Sequence, residues 1–175
     1  RSPASLPPDA RITHPRCSPH SRYLAFVHSG ENGGEIWVAE PASGRCRRLP
    51  VPPLNRVFGL PFRWMPDGEG LVVYTIVADR GEAPSRPPVA SGPLIRESYG
   101  RHAPTRTYQD LLDGPHSVSL FVHYFAGQLW LVPLQGTPRP IGAAGIISAF
   151  DPAPRGDVLL VERIQPPYSF GVPYH

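Results

Sequence analysis

The chain has 175 residues, enough for one domain with a sizeable core, and its 41% hydrophobic and 18% charged residues exclude a low-hydrophobicity, high-charge disordered segment. Its net charge of +3 comes from arginines scattered with no run longer than Arg47-Arg48, which argues against a nucleic-acid-binding stripe. No apolar stretch is long enough to cross a membrane, so we expect neither nucleic acid nor a membrane as a partner.

The first predicted elements are short strands separated by turns of proline, serine and glycine. Residues 1–15 are rich in proline, serine and alanine and are predicted to form a lead-in segment or the loose end of an earlier blade. A turn at Ser18-Pro19 precedes a predicted strand at residues 23–28, which a glycine-rich loop joins to a second strand at 35–39. A third strand is predicted at residues 45–49, and residues 61–64 are predicted to be the fourth strand of this group.

A Pro-Asp-Gly turn opens the second group. Pro66 presets φ for the turn, and Gly68 can adopt a positive φ. The strand that follows, at residues 71–77, has the β-branched and aromatic content of a strand buried on both faces. Its predicted partner, at residues 128–133, matches residues 35–39 around a shared tryptophan. Between the two strands lies an insertion at about residues 79–126.

A short helix is predicted inside the insertion at residues 107–112, and a second short helix or a turn at residues 114–125. After the insertion, the second group is predicted to close with strands at residues 137–141 and 145–150. A third group then begins at Asp151 and gives a strand at residues 158–164.

The spacing of the turns predicts a repeat fold. Pro19, Pro66 and Pro154 are separated by 47 and 88 residues, and one β-propeller blade takes about 40–45 residues. The first interval matches one blade, and the second matches two blades or one blade with an insertion. The sequence therefore predicts an all-β fold over residues 16–175, an incomplete β-propeller of two blades plus part of a third, with a long partly helical insertion in the second blade. His20-Ser21 and Arg155-Gly156 replace Asp-Gly, which predicts looser turns.

The two cysteines predict no metal or redox site. Cys17 and Cys46 lie 29 residues apart and could form one disulfide, although nothing in the sequence brings them together. Free, buried or half-buried thiols are the commoner arrangement. The chain has no CxxC motif and no paired-histidine spacing, so we expect neither a metal nor a cofactor.

Three segments carry a more specific pattern than the turns: residues 91–98, residues 103–112 with the run Thr-Arg-Thr-Tyr-Gln-Asp-Leu-Leu, and residues 161–174 with Pro-Tyr-Ser-Phe. Together with the turn at residues 65–68, they resemble the glutamyl endopeptidase branch of the prolyl oligopeptidase family of serine peptidases, found in bacteria and plant chloroplasts. The resemblance implies a propeller that limits access to the active site of a separate α/β-hydrolase domain. It also implies a peptide substrate and a soluble protein of the bacterial cytoplasm or periplasm, or of the plastid stroma.

The sequence contains no catalytic apparatus of that family. The Gly-x-Ser-x-Gly elbow that carries the serine nucleophile does not occur, so no catalytic residue is assigned, and the 175 residues alone are expected to be inactive as a peptidase. The seven histidines are interpreted as surface or capping residues. Trp37, Trp64 and Trp130 are predicted to pack between blades and not to stack on a ligand.

One cluster in the insertion is a candidate substrate site. Glu97, Arg101 and Arg106 could face a peptide if the insertion reaches the hydrolase, with an arginine pairing bidentately with a carboxylate. The alternative is an internal ion pair that pins the loop, for instance between Arg106 and Asp110 at helical spacing. The alternative function for the whole chain is a non-enzymatic, TolB-like propeller that acts as a protein-binding platform.

Overall fold

The computed structural model describes residues 10–30, 33–86, 112 and 114–168. Within them the chain is mostly β, in agreement with the predicted all-β class. The elements are β1 Ile12–Cys17, β2 Leu24–Gly30, β3 Gly33–Glu40, β4 Arg45–Arg48, β5 Phe62–Trp64, β6 Gly70–Ile76, α1 Pro115–Phe125, β7 Ala126–Pro133, β8 Arg139–Pro152 and β9 Leu159–Ile164. The chain divides into a main unit, Arg1–Arg80 with Phe125–Ile164, and a second unit, Gly81–Tyr124 with Gln165–His175.

The first sheet of the main unit is antiparallel, with the strand order β1-β2-β3-β4. Strand β1 starts at Ile12, so residues 12–15 of the predicted lead-in segment belong to the first sheet. The prediction that residues 61–64 complete this sheet is wrong, because β5 pairs with β6. The tight turn at residues 65–70 folds β5 directly back onto β6, and Pro50, Pro52 and Pro53 interrupt strand pairing after β4.

The second sheet has the order β5-β6-β7-β8-β9. Strand β6 is buried on both faces from Gly70 to Thr75, as its sequence predicts. It pairs with β7 across the insertion, with Val73 opposite Trp130, which confirms that these two strands are partners. The two strands predicted at residues 137–141 and 145–150 form one continuous strand, β8, which pairs with β7 up to Ile146 and with β9 from Ile146 onward.

Three hairpins of the main unit share one register and one turn. Their closing pairs are Cys17–Leu24, Trp64–Leu71 and Pro152–Leu159. In each turn, the residue that follows the closing pair's first member donates its backbone N–H to the carbonyl five residues later. These bonds are Ser18 to Tyr23 at 2.8 Å, Met65 to Gly70 at 2.8 Å and Ala153 to Val158 at 2.9 Å. The hairpins recur at the same two intervals as the prolines, so the spacing of the prolines marks a true structural repeat.

One turn position adopts the left-handed region in all three hairpins. Its φ is 55° at Ser21, 71° at Gly68 and 74° at Gly156. The prediction of looser turns is wrong, since all three turns make the same backbone hydrogen bonds whether or not Asp-Gly is present. The serine reaches this region at a steric cost that glycine does not carry.

Ser21→Gly is therefore expected to stabilise the chain by about 0.5–1 kcal/mol. The left-handed conformation costs a residue with a Cβ about 1–2 kcal/mol, and the greater freedom of glycine in the unfolded chain offsets about half of that. The measurement is the free energy of unfolding in urea, with the reciprocal change Gly68→Ser expected to destabilise by a similar amount. A Ser21→Gly chain that is less stable than the parent would contradict this interpretation of the turn.

Successive turns of the three hairpins also contact each other in the same way. A Cβ placed on Gly68 would lie 3.6 Å from Cδ of Pro19 in the preceding turn. A Cβ placed on Gly156 would likewise lie 3.6 Å from Cδ of Pro66. Each hairpin is thus stacked on the one before it with a constant relation, as neighbouring repeats are in a repeat protein.

Two layers of apolar side chains fill the main unit. The larger layer draws its buried residues from both sheets: Ala25, Val27, Ile36, Val38, Leu49, Leu54, Phe62, Leu71, Val73, Val132 and Leu134. The smaller layer lies on the other face of β6 and β7, where residues of β8 and β9 cover it: Val72, Tyr74, Leu129, Ile147 and Phe150 are buried, with Leu159 and Val161 packed against them. The larger layer packs the first hairpin repeat against the second. The smaller layer packs the second repeat against the third hairpin in the same way.

Helix α1, Pro115–Phe125, lies in the second unit except for its last residue. It confirms the helix predicted at residues 114–125, whereas the helix predicted at residues 107–112 falls outside the described residues, apart from Leu112. Within this unit Phe121 packs edge-on against Tyr168, with 5.4 Å between ring centroids. No helix among the described residues is both long and apolar enough to span a bilayer.

A candidate binding surface on the first sheet

The substrate-site residues predicted from the sequence lie outside the described part of the chain. Glu97, Arg101 and Arg106 fall between residues 87 and 111, and so does Asp110, the alternative ion-pair partner of Arg106. Both interpretations of that cluster stay predictions. Among the described residues, no group of three or more histidine, cysteine or acidic side chains is arranged to hold a metal ion.

The tryptophans contribute to packing. Trp64 and Trp130 are half-buried against the larger apolar layer, as predicted. The indole N–H of Trp64 donates to the carbonyl of Arg16 at 3.0 Å and so joins the second hairpin to the first. Trp37 is only 7% exposed. With their rings covered to this extent, the three residues do not form an open platform for a ligand.

Both cysteines are free, but the expectation of buried or half-buried thiols holds for Cys46 and is wrong for Cys17. Cys17 is exposed at the end of β1, whereas Cys46 is half-buried in β4. These strands are at opposite edges of the first sheet, which keeps the two thiols from pairing. Burial raises the pKa of the Cys46 thiol, although a backbone hydrogen bond from Arg47 opposes this effect. Cys46 is therefore less readily ionised than an exposed thiol, which lowers its reactivity.

A pocket of about 50 Å³ lies in the main unit between the segment before β5 and the second half of β8, lined by Asn55, Phe58, Tyr74 and Phe150 among others. Ligand sites for drug-sized molecules have volumes of about 300–1,000 Å³. The pocket is large enough for one or two water molecules and too small for a peptide side chain with its backbone.

A polar cluster on the first sheet surrounds the carboxylate of Glu35. Its Oε2 accepts a hydrogen bond from the Trp37 indole at 3.0 Å and lies 3.4 Å from Nδ1 of His28, while its Oε1 accepts one from Arg48 at 2.8 Å. The His28 ring stands edge-on to Trp37, with 6.1 Å between centroids. The cluster holds no hydroxyl or thiol nucleophile, so it is an ion-pair network and not a catalytic triad.

Burial raises the pKa of the Glu35 carboxyl, but hydrogen bonds from Trp37, Arg48 and His28, with the positive charge of Arg48, outweigh it and bring the pKa below its usual value of 4.5. A carboxyl whose pKa is lower in the folded chain stabilises the fold above the unfolded-state pKa. That stabilisation is lost as the pH falls through the folded-state pKa.

Glu35→Gln is accordingly expected to destabilise the chain by about 1 kcal/mol at neutral pH and by much less near pH 3. The measurement is the urea unfolding midpoint of both chains at the two pH values, with substitution of the exposed Glu69 by Gln as the control. A destabilisation of equal size at both pH values would show that the charge of Glu35 plays no part in it.

Strand β4 presents the second feature of this surface, which we call the arginine edge: Arg45, Arg47 and Arg48 within a strand of four residues. Arg48 is held by Glu35 as described. The guanidinium of Arg47 donates to the carbonyl of Leu134, the residue after β7, and Arg45 is exposed. The sequence predicts a strand here, but it also predicts that residues 61–64 complete the sheet, and it therefore gives no signal that β4 is an outer edge.

Basic residues outnumber acidic residues in the segment that contains the first sheet. Residues 10–56 contain seven arginines and three glutamates, a local charge of +4 in a chain whose total is +3. The segment that forms the first sheet therefore carries a net positive charge. A positive surface attracts anionic partners and steers their approach.

Two curated plant proteins resemble the chain along nearly its whole length. The protein named "Probable glutamyl endopeptidase, chloroplastic" from Oryza sativa subsp. japonica is 35% identical over 177 residues, which cover 95% of this chain and 19% of the relative. This chain is similar to glutamyl endopeptidases. The protein of the same name from Arabidopsis thaliana is 34% identical over 177 residues, covering 96% of this chain and 18% of the relative. No family model matches the chain.

This similarity to proteins named glutamyl endopeptidase agrees, at the level of the family only, with the resemblance noted in the sequence. The chain spans about a fifth of the length of these two relatives. What the relatives do as whole proteins therefore enters only as a proposal.

Proposed function

We propose that this chain is a β-propeller region of a serine-type peptidase resembling glutamyl endopeptidase. In that protein the propeller limits access to the active site, and an α/β-hydrolase domain outside these 175 residues cleaves the peptide bond. The observation that carries the proposal is the combination of a stacked hairpin repeat, with intervals close to the length of a blade, and similarity over 95% of the chain to proteins named glutamyl endopeptidase.

The stacking of repeats supports a propeller. Each four-stranded blade of a propeller packs its face on the next blade around a central axis. Here the first sheet has four strands, β5 to β7 and the first half of β8 repeat that arrangement, and the second half of β8 with β9 starts a third hairpin. Leu160 in β9 is 74% exposed, although its repeat counterparts Ala25 and Val72 are 0% and 2% exposed. A further blade would bury it.

The role assigned to this region is selection by size. A propeller over an active site admits peptides and flexible segments and excludes folded proteins. In this proposal the catalytic serine, histidine and aspartate come from the hydrolase domain, since the present sequence has no Gly-x-Ser-x-Gly elbow. The insertion residues Glu97, Arg101 and Arg106 are proposed to contact the substrate, with an arginine paired to a carboxylate of the peptide.

The test is to extend the reading frame beyond His175 and to assay the complete protein against matched peptides with glutamate, glutamine or proline before the scissile bond. We expect cleavage after glutamate, weakened about 10-fold to 1,000-fold by Arg101→Ala or Arg106→Ala if either side chain pairs with the substrate carboxylate. The glutamine peptide serves as the control, because its cleavage should be insensitive to both changes.

Two results would contradict the proposal. A reading frame that ends without a Gly-x-Ser-x-Gly hydrolase domain would favour the non-enzymatic binding platform. A complete protein that cleaves no peptide would do the same. Full activity of both arginine variants would remove the insertion from the substrate site and leave the propeller proposal standing.

A further inference from the structure

We propose that the arginine edge binds an extended acidic peptide, which pairs with β4 as a fifth strand of the first sheet. The occupant is a chain segment with carboxylates at every second residue. This inference does not depend on the proposed peptidase function.

The backbone of β4 is available for such pairing. Among the described strands β3 is its only neighbour, since β5 joins the second sheet. The N–H of Leu49 donates to the carbonyl of Ile36 at 2.9 Å, which sets the alternation of the antiparallel ladder. By that alternation the backbone groups of Arg45 and Arg47 point toward β3, and those of Cys46 and Arg48 point outward. An added strand can bind the two outward pairs of N–H and C=O groups, as in β-strand addition.

The side chains select the charge of the added strand. Arg45 and Arg47 are two residues apart and so lie on the same face of the sheet. Residues directly opposite in neighbouring strands have their Cβ atoms about 4.5–5.5 Å apart, so glutamates spaced by two in the added strand would reach both guanidinium groups. On the other face, Arg48 is paired with Glu35. Glu40 lies opposite Arg45 in β3, but its carboxylate pairs with Arg22 and accepts a hydrogen bond from Ser43, so the face of Arg45 and Arg47 keeps a net positive charge.

Arg47 is also prepared for binding. Its guanidinium already donates to the Leu134 carbonyl, which orders a long side chain before any partner arrives and lowers the entropy cost of binding. Because a guanidinium has five N–H donors, others remain for a carboxylate. Charged side chains on an edge strand also protect it from pairing with other copies. Here the charges of Arg45 and Arg47 oppose a basic strand and favour an acidic one. Protection of an edge strand alone does not require such a preference.

The binding experiment uses the purified chain and a fluorescein-labelled peptide, Gly-Glu-Thr-Glu-Val-Glu-Thr, followed by fluorescence anisotropy at low salt. Arg45→Glu is expected to weaken binding at least about tenfold, because it removes one charge-assisted pair and adds repulsion. The matched control is Arg139→Glu, the same charge change on the exposed first residue of β8, with an expected change below about twofold. Arg45→Gln should give an intermediate loss, and circular dichroism checks that each variant is folded.

A second probe tests the strand pairing. The same peptide with proline in place of both threonines and valine keeps the three carboxylates and loses backbone N–H donors, so it should bind at least about tenfold more weakly. Equal binding of both peptides would overturn the proposal, and so would equal losses for Arg45→Glu and Arg139→Glu. Displacement of the peptide by a single-stranded oligodeoxynucleotide of the same charge, at the same concentration as unlabelled peptide, would assign the edge to general anion binding and also overturn it.

Discussion

Phe62→Ala is expected to lower the free energy of unfolding by about 3–5 kcal/mol, the range for removing a fully buried aromatic side chain. Phe62 is 0% exposed and lies in the apolar layer shared by the two sheets. Its strand, β5, has only three residues, and it pairs with β6 through Phe62 opposite Val73. The substitution therefore removes both the contact between repeats and the main anchor of β5. A small domain has about 5–15 kcal/mol of stability in total, so most of it could be lost.

The measurement is the free energy of unfolding of the two chains in urea, followed by tryptophan fluorescence and circular dichroism. Leu160→Ala is the control, since Leu160 is 74% exposed and its truncation should change stability by less than about 0.5 kcal/mol. If Phe62→Ala cost no more than Leu160→Ala, the two sheets would not bury a common core. The stacking of repeats inferred from the turns would then lose its energetic basis.

Individual turns, strands and the helix could be predicted from the sequence, because each depends on residues that are close together in the chain. The Pro66-Asp67-Gly68 turn, the buried strand after it and the helix at residues 114–125 all follow from turn geometry, strand propensity and periodicity within a few residues. The recurrence of the same turn at two other places also follows from the sequence. The structure adds that all three hairpins have one register.

Pairing between distant strands was less predictable. Local propensity identifies residues 61–64 as a strand but does not say which neighbour they join, because either β4 or β6 could satisfy their backbone groups. The short turn decides it, since closing a loop of a few residues costs less entropy than closing a longer one. The continuous β8 has a similar cause: it changes partner from β7 to β9 at Ile146, and each half has the pattern of a separate strand.

The sequence did not reveal the candidate binding surface, because it predicted that residues 61–64 join the first sheet. With residues 61–64 beside it, β4 would be an internal strand, and its three arginines would have no free backbone to accompany them. Once β5 is placed in the second sheet, β4 becomes an edge, and the run Arg45-Cys46-Arg47-Arg48 changes from an ordinary charged strand to a site for strand addition. Edges are created by non-local pairing, which explains why the residues were visible in the sequence and the surface was not.

Gly127→Ala is expected to destabilise the chain by about 3 kcal/mol, at the upper end for overpacking a well-packed site. A Cβ on Gly127 would lie 2.4 Å from Cε2 of Tyr74 and 2.6 Å from the carbonyl oxygen of Thr75, both far inside van der Waals contact. The strand cannot move aside, because Gly127 is paired with Ile76 on one side and with Gly145 on the other.

The ring of Tyr74 is held in place as firmly as the backbone. Its hydroxyl lies 2.7 Å from the Phe125 carbonyl and 3.0 Å from the Gly145 carbonyl, positioned to donate to either, and it accepts a hydrogen bond from the N–H of Ile147 at 3.3 Å. Burial raises the pKa of Tyr74, outweighing that hydrogen bond and the nearby charge of Arg163, so the hydroxyl stays protonated and able to donate. Moving the ring away from a new methyl group would break these bonds inside the smaller apolar layer.

The contribution of the clash can be separated from that of backbone strain by comparing two glycines in the second sheet. Gly142 has a φ of +65°, and a Cβ placed on it would have no neighbouring atom within 4 Å, so Gly142→Ala should cost only the left-handed penalty of about 1 kcal/mol. Combining Gly127→Ala with Tyr74→Val should recover part of the loss, because the ring is removed while the Thr75 carbonyl stays. Urea unfolding of the single and double variants gives the coupling free energy. Strict additivity of the two changes would show that the glycine is not required by the tyrosine ring.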